Sequence, residues 1–464
     1  MSETDITLYI SEAGDDAYEG TQERPLWSVA AAVLAIRGKP YKTATLVISG
    51  SITEVASPNG MIAITGDGLP TIILRGESKE HLGILNAQGL DKRVLYISDG
   101  NTLFLERHIV ICGGRTDASG GAGIAIEGGT LIMKDAEISG NDAGSGMGGG
   151  VYVGKDSEFI MLGGLLTNNT TNLHGGAVFL DNGGTCTLID GTISGNKAYV
   201  SGGGIFVGID AEFVMNGGVI ADNWAGGEHT VLLMGMPIPS GMGGGVYVCT
   251  SGRFTMRGGK IRENRAIAIR EDPHNAGSGG GVYVDRGGVF TLEAGAIQQN
   301  GVTHWGGGVY TEGALTLLEQ GAIQNNVARL GGGGVYIAGK HGGVFTMQGG
   351  IVMRNFTAGS GGAVHVTEQG VFTLEQGLIA KNFVTGLGHA LAISGLVTIN
   401  GGAVFDNQKP KNADTPQEDS PQSAEQAAPA VVIEPTGTLI LRGGVVEGKI
   451  AMKDPSQFED LRED

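Results

Sequence analysis

The sequence predicts an all-β protein: a single-domain right-handed parallel β-helix, a solenoid with a short N-terminal capping helix. Three observations predict it. A motif closing on an asparagine recurs ten times, at 141, 169, 196, 223, 264, 300, 326, 355, 382 and 407. The steps are 28, 27, 27, 41, 36, 26, 29, 27 and 25 residues. Each unit holds brief apolar triplets that alternate like strands, and glycine runs divide them. A unit of about 27 residues with such short strands cannot close a core alone and must stack on its neighbours. The right hand follows from the usual crossover rule for parallel strands.

The elements follow in order. Residues 1–40 read as an N-terminal cap: ITLYI at 6–10 is a first strand, and LWSVAAAVLAI suits a short helix. That helix, carrying Leu26, Trp27, Val29, Val33 and Leu34, plugs the apolar end of the first coil. Residues 41–112 form less regular coils, each a β-rich run ended by glycine or charge. Residues 113–407 are the regular repeats, with insertions after Asn223 (224–240) and after Asn264 (265–277) at the same corner. Residues 408–430 are rich in Pro, Gln, Glu, Ser and Ala and read as a flexible excursion. Residues 431–464 resume the coil grammar and end in an acidic tail, solvated or a light cap.

Composition narrows the function. Glycine is 85 of 464 residues, about 18% against an average near 7%, with no Gly-X-Y period, which excludes collagen. Lys and Arg total 30 against 48 Asp and Glu, a formal charge of −18. Such a chain repels nucleic acid and anionic lipid at long range. Three cysteines, Cys112, Cys186 and Cys249, do not make a disulfide framework. The most apolar run, Leu26 to Ile36, is 11 residues, short of the roughly 20 that span a bilayer, so no direct membrane insertion is expected. The opening residues carry no signal-peptide pattern, and a removed leader or lipid anchor is compatible with that.

Stacking turns each motif position into a row. The corner asparagines read as a structural ladder that satisfies turn backbone. The Phe-Thr-Met-like triplets put Phe159, Phe213, Phe254, Phe290, Phe345 and Phe372 inward. Opposite them stands a β-branched row that includes Thr187, Thr255, Thr291, Thr316, Thr346, Thr373 and Thr398, suited either to strands alone or to a regular ice- or glycan-binding face. The Val-Tyr-Val-like triplets place Tyr152, Phe179, Phe206, Tyr247, Tyr283, Tyr310, Tyr336 and His365 in one aromatic row. That row is an exposed binding face if the flanking aliphatics point inward, and ordinary core otherwise.

Beside the asparagine corner lie Trp224, Tyr199, Trp305, Phe356 and Phe383 with the two insertions. Insertions gathered at one corner commonly build a solenoid's working face. The candidate binding residues are therefore Trp224, Trp305, Tyr247, Tyr283, Tyr310, Tyr336, Glu228, His229, Arg270, Asp272 and His274. No catalytic set can be assembled in the regular array: carboxylates occur singly, the histidines lack metal-ligand spacing, and neither a GxxxxGK[ST] loop nor the calcium nonapeptide occurs. No cofactor or metal is expected.

The span from 5 to 407 resembles bacterial right-handed β-helix repeat proteins of the pectin-lyase-like superfamily, the kind abundant in treponemes and other spirochaetes. LYISEAGDDAYEGTQERPLWSVAAAV looks like their N-terminal cap. GGAVFL at 175 and GGAVHV at 361 are similar to motifs of chlamydial polymorphic outer-membrane proteins, which are autotransported adhesins. This chain mostly replaces their corner Phe by Ile and shows no C-terminal barrel. The resemblance is specific for fold and leaves function open; repetition without a catalytic set leads to the expectation of a non-catalytic secreted or cell-surface binding protein that recognises a host protein or a carbohydrate through its insert-bearing corner and aromatic rows. The opposing expectation is a polysaccharide lyase or glycoside hydrolase, with a site among Glu228, His229, Arg265, Arg270, Glu271, Asp272 and His274.

Overall fold

The computed structural model describes residues 4–53, 62–117, 120–227, 232–233, 236–268, 275–407 and 429–462. The chain divides into two compact units, Met1–Gly226 with Ser251–Phe254, and Gly227–Thr250 with Thr255–Asp464. Each is a stack of parallel coils, the parallel β-helix that the repeat predicts.

In the N-terminal unit the Val-Tyr-Val triplets pair one above another, from Ile62–Ile64 through Leu95–Ile97, Ile124–Ile126, Val151–Val153 and Val178–Leu180 to Ile205–Val207. A second face stacks Thr102–Leu105, Thr130–Met133, Glu158–Met161, Thr185–Leu188 and Glu212–Met215. A third runs from Gly83–Asn86 through Ile109–Cys112 to Val219–Ala221. Phe159 and Phe213 are fully buried beside Met161 and Met215, so the Phe and Met positions fill the interior as expected.

The cap forms with one change of detail. Strand Thr4–Ser11 pairs with Tyr41–Ile52, and the helix runs Val29–Ile36. Ser28 caps it: its hydroxyl accepts from the Ala31 amide at 3.0 Å and donates to Asp16 Oδ2 at 2.7 Å. The buried plug is Leu26, Val29, Ala32, Val33 and Ile36. Leu34, 74% exposed, points outward because a helix hides only the stripe spaced at three and four residues, and Trp27, ahead of the Ser28 cap, is exposed as well.

In the C-terminal unit the triplet face stacks Val246–Val248, Val282–Val284, Val309–Thr311, Val335–Ile337, Val364–Val366, Leu391–Ile393, Val431–Ile433 and Ile450–Met452. Here the second and third faces merge into long bent strands such as Val289–Gln298 and Ala314–Gln324. Two insertion ends are zipped together, Ser240–Met242 running parallel to Asn275–Ser278. The acidic tail is ordered: Asp454 and Gln457 form a capping box, and Phe458–Asp460 pairs with Leu439–Leu441 as a last strand. The excursion expected at 408–430 lies, through residue 428, outside the described residues.

The asparagine corner organises both units. Asn169, for example, donates from its amide nitrogen to Ile138 O at 2.9 Å and to Asn196 Oδ1 at 3.0 Å, and its backbone N–H donates to the same Oδ1 at 3.0 Å. The pattern repeats through Asn141 to Asn223 and through Asn264 to Asn407. Both amide protons of Asn169 are used, one on the carbonyl of the aliphatic residue three places before the preceding asparagine. The residue just before the asparagine is left-handed in every coil, with φ between 51° and 66°, and in eight of the ten it is not glycine. Those positions include Glu263, Arg354 and Lys381.

Two outcomes follow. Asn326→Ala strips acceptors from Asn300 and donors from Ile297 O and Asn355 Oδ1, and is expected to cost about 3 kcal/mol, read as lost hydrogen-exchange protection at the Asn300 amide. Arg354→Gly relieves a left-handed residue (φ 53°) and should raise stability by about 1 kcal/mol in urea unfolding.

Candidate functional site

The aromatic rows are stacked as the sequence implies, and half of their rings are buried. In the N-terminal unit Tyr152, Phe179 and Phe206 lie ring on ring at 5.8 and 4.9 Å. In the C-terminal unit Tyr247, Tyr283, Tyr310 and Tyr336 follow at 5.1, 4.6 and 5.3 Å, and His365 closes the row at 5.0 Å. Tyr247 is 7% and Tyr283 6% exposed, while Tyr310 and Tyr336 are half-buried. The exposed reading of this row is therefore corrected at Phe179, Phe206, Tyr247 and Tyr283, which are buried, while Tyr152, Tyr310, Tyr336 and His365 keep partial exposure. At Tyr152, Phe179 and His365 the glycine run of the preceding coil lies against the side chain. A Cβ on Gly120 would come 2.3 Å from Tyr152 Cδ2, one on Gly148 3.2 Å from Phe179 Cβ, and one on Gly331 2.7 Å from His365 Nδ1.

The buried phenols keep partners one coil along. Tyr247 donates to Asp285 Oδ2 at 2.8 Å and Tyr283 to Glu312 Oε1 at 3.0 Å, and Tyr152 donates to Asp181. Glu312 also accepts from Tyr310 at 3.2 Å and meets His341 Nδ1 at 2.6 Å. Burial, together with these carboxylates, raises Tyr152, Tyr247, Tyr283 and Tyr310 well above the ordinary phenol range, and burial alone pushes Tyr336 up to about 12. Neutral phenols in this setting are hydrogen-bonded structure. Trp305, half-buried, packs on His304 at 5.1 Å and Tyr336 at 5.8 Å, so it finishes the same cover.

The asparagine corner of the N-terminal unit is open. Its outward positions stack as Arg115, Asp142, Thr170, Lys197 and Trp224. Trp224 stays 37% exposed. The Lys197 ammonium sits 4.3 Å from the Tyr199 ring centre and 5.1 Å from that of Trp224. Thr170 Oγ1 donates to Asp142 Oδ1 at 3.0 Å. Corner geometry alone brings an indole, a phenol, two cations, a carboxylate and a hydroxyl onto one edge. Glu228, His229, Arg270, Asp272 and His274, the other corner candidates, lie outside the described residues, as does Glu271.

The C-terminal unit carries a different corner row, with Val327, Phe356 and Phe383 in register and the two phenyl rings 4.7 Å apart. On its outer face Thr291, Thr316, Thr346, Thr373 and Thr398 pair without interruption. Two shallow grooves of about 480 and 490 Å³ flank that face. The first is lined by Glu368, Gln369, Ser394, Leu396 and Thr436, the second by Arg257, Glu293, Glu319, Gln320 and Gln348. Sequence reasoning missed both grooves. For the second, the detectable signal was one extra residue in the coil that carries Leu318.

Among the described residues no group of three or more His, Cys, Asp and Glu side chains is placed to hold a metal ion. Cys112, Cys186 and Cys249 are free thiols, and burial raises the thiol of Cys186. Comparison with known proteins finds no matching family model, no matching curated protein and no matching solved structure.

Burial holds His174 and His365 down to about 4. A group whose folded pKa lies below its unfolded value of about 6.5 stabilises the fold above that value and loses the contribution as pH falls toward 4. Acidification across that window is expected to lower the melting temperature. His365→Phe, which keeps a ring in the row, should flatten the part of the loss arising in the C-terminal unit, checked by thermal melts against pH.

Proposed function

We propose that this protein is a non-catalytic binding scaffold that recognises a glycan at the asparagine corner of its N-terminal unit. The observation that carries the reading is the open row ending in Trp224. The rings of the triplet faces are buried or half-buried, while this indole, 37% exposed, keeps a solvent-facing surface beside Lys197, Tyr199, Thr170 and Asp142. Sugar recognition uses that combination: a ring face for the apolar side of a pyranose, and charged or hydroxyl groups that bond its hydroxyls with defined geometry.

The repetitive coil supports the reading, since a solenoid offers an extended edge along which several sugar units of one chain find equivalent positions. The resemblance to spirochaetal surface repeat proteins and chlamydial adhesins, carried by the cap and GGAV motifs, agrees with a secreted or cell-surface place and with a host or envelope glycan as partner. The formal charge of −18 disfavours polyanionic glycans and favours neutral or cationic ones.

A glycan array with the purified chain, followed by calorimetry on the best ligand, tests this. Trp224→Ala is expected to weaken binding about tenfold or more, the loss typical of an aromatic anchor. Tyr283→Phe, at a covered position, is expected to leave affinity unchanged. Absence of any glycan ligand, or full affinity in Trp224→Ala, would overturn the reading.

A further inference from the structure

The coils of the C-terminal unit share a strict spacing at the bend of the long strands. Two residues separate the inward Met, Leu or Ile from the glycine that follows: Arg257-Gly258, Glu293-Ala294, Gln348-Gly349, Glu375-Gln376, Asn400-Gly401 and Arg442-Gly443. The coil at Ala314–Gln324 has three, Leu318-Glu319-Gln320. The pairing shows the consequence. Leu292 faces Leu317 and Ala294 faces Gln320, so Glu293 stands alone against Leu318 and Glu319. That is a β-bulge, a device that re-aims side chains and bends a strand.

The bulge coincides with the groove of about 490 Å³, whose lining includes all three of its residues with Arg257, Glu293 and Gln348. The neighbouring coil yields to it: a Cβ at Gly349 would lie 2.8 Å from Glu319 Cα. On the other wall Arg257 Nε is 3.4 Å from Glu293 Oε2. The lining thus holds one cation already set against one carboxylate, and a second carboxylate, Glu319, on the exposed crest of the bulge. Gln320 and Gln348 add two exposed carboxamides, each both donor and acceptor. Leu318 adds a half-buried aliphatic surface. Across the coils from Arg257 to Gln348 the groove runs about 14 Å at roughly 4.8 Å per coil.

We propose that this groove is a second carbohydrate site, selective for a protonated amino sugar. The Glu319 carboxylate pairs with the ammonium, the two carboxamides bond neighbouring hydroxyls, and Leu318 lies against the apolar ring face. The acidity of the chain concentrates a cationic oligosaccharide near the groove. The ligand class rests on the glycan reading above, while the site shares no residue with the Trp224 corner.

Calorimetry of the full chain with a glucosamine hexamer and its fully N-acetylated counterpart, at a pH that protonates the amine, tests the proposal. The glucosamine hexamer is expected to bind at least tenfold more tightly. Glu319→Gln and deletion of Leu318, which restores the two-residue spacing, should each erase that preference with the β-sheet circular dichroism retained. Glu375→Gln, which removes an equal charge outside this lining, should leave it intact, and so should Trp224→Ala. Equal binding of the two hexamers, no binding of either, or a preference that survives Glu319→Gln would overturn the proposal. So would equal losses in Glu319→Gln and Glu375→Gln, which would reduce the effect to overall charge. A preference lost only in Trp224→Ala would assign the amine to the corner and likewise overturn the groove.

Discussion

The paired hydrogen bonds that each corner asparagine makes to the coils beside it set the terms for everything else. One side-chain oxygen receives both the amide and the backbone N–H of the preceding asparagine, and one side-chain nitrogen reaches that coil's aliphatic carbonyl. A buried carboxamide with every lone pair and proton used is costly to displace, because each broken bond leaves a desolvated group behind. Stacked parallel strands of three or four residues would otherwise slip in register easily. The ladder also explains why Glu263, Arg354 and Lys381 hold a left-handed backbone that L-residues seldom adopt: the next residue is locked in place.

A second constraint comes from glycine. The runs ahead of each Val-Tyr-Val triplet are conformationally required only in part. Gly148 has φ of 68°, whereas Gly120 and Gly331 matter because their missing Cβ atoms let backbone lie against a ring. Aromatic stacking then proceeds under a roof of main chain. Phenol hydroxyls reach carboxylates at the strand ends, which shields the polar ends of the tyrosines without unfilled hydrogen-bond demand.

Regularity and departure from it have different roles. The Phe, Met and aliphatic rows repeat because each coil must offer its neighbours the same interior surface. Positions that face outward at the corner and at the strand bend are free to differ, and there the chain places Trp224 beside Lys197 and the extra residue beside Glu319. Both proposed sites are local exceptions mounted on a regular scaffold.

The sequence by itself determined the parallel β-helix, the cap with its helix, the inward phenylalanines and the asparagine ladder. Each is a short-range periodic pattern, and a solenoid converts such patterns directly into contacts between adjacent coils. Trp224 and Tyr199 were also legible, since their distance from a corner asparagine places them on an edge. Only the tertiary structure decided that Tyr247 and Tyr283 are buried, because their cover comes from packing between coils, and alternation along a strand carries no information about it. The structure alone also showed that Leu34 faces outward from the cap and that the extra residue at Leu318 becomes a bulge lining a groove. An insertion in a sequence fixes how many residues must be accommodated, and the packing of the coils on either side fixes where they go.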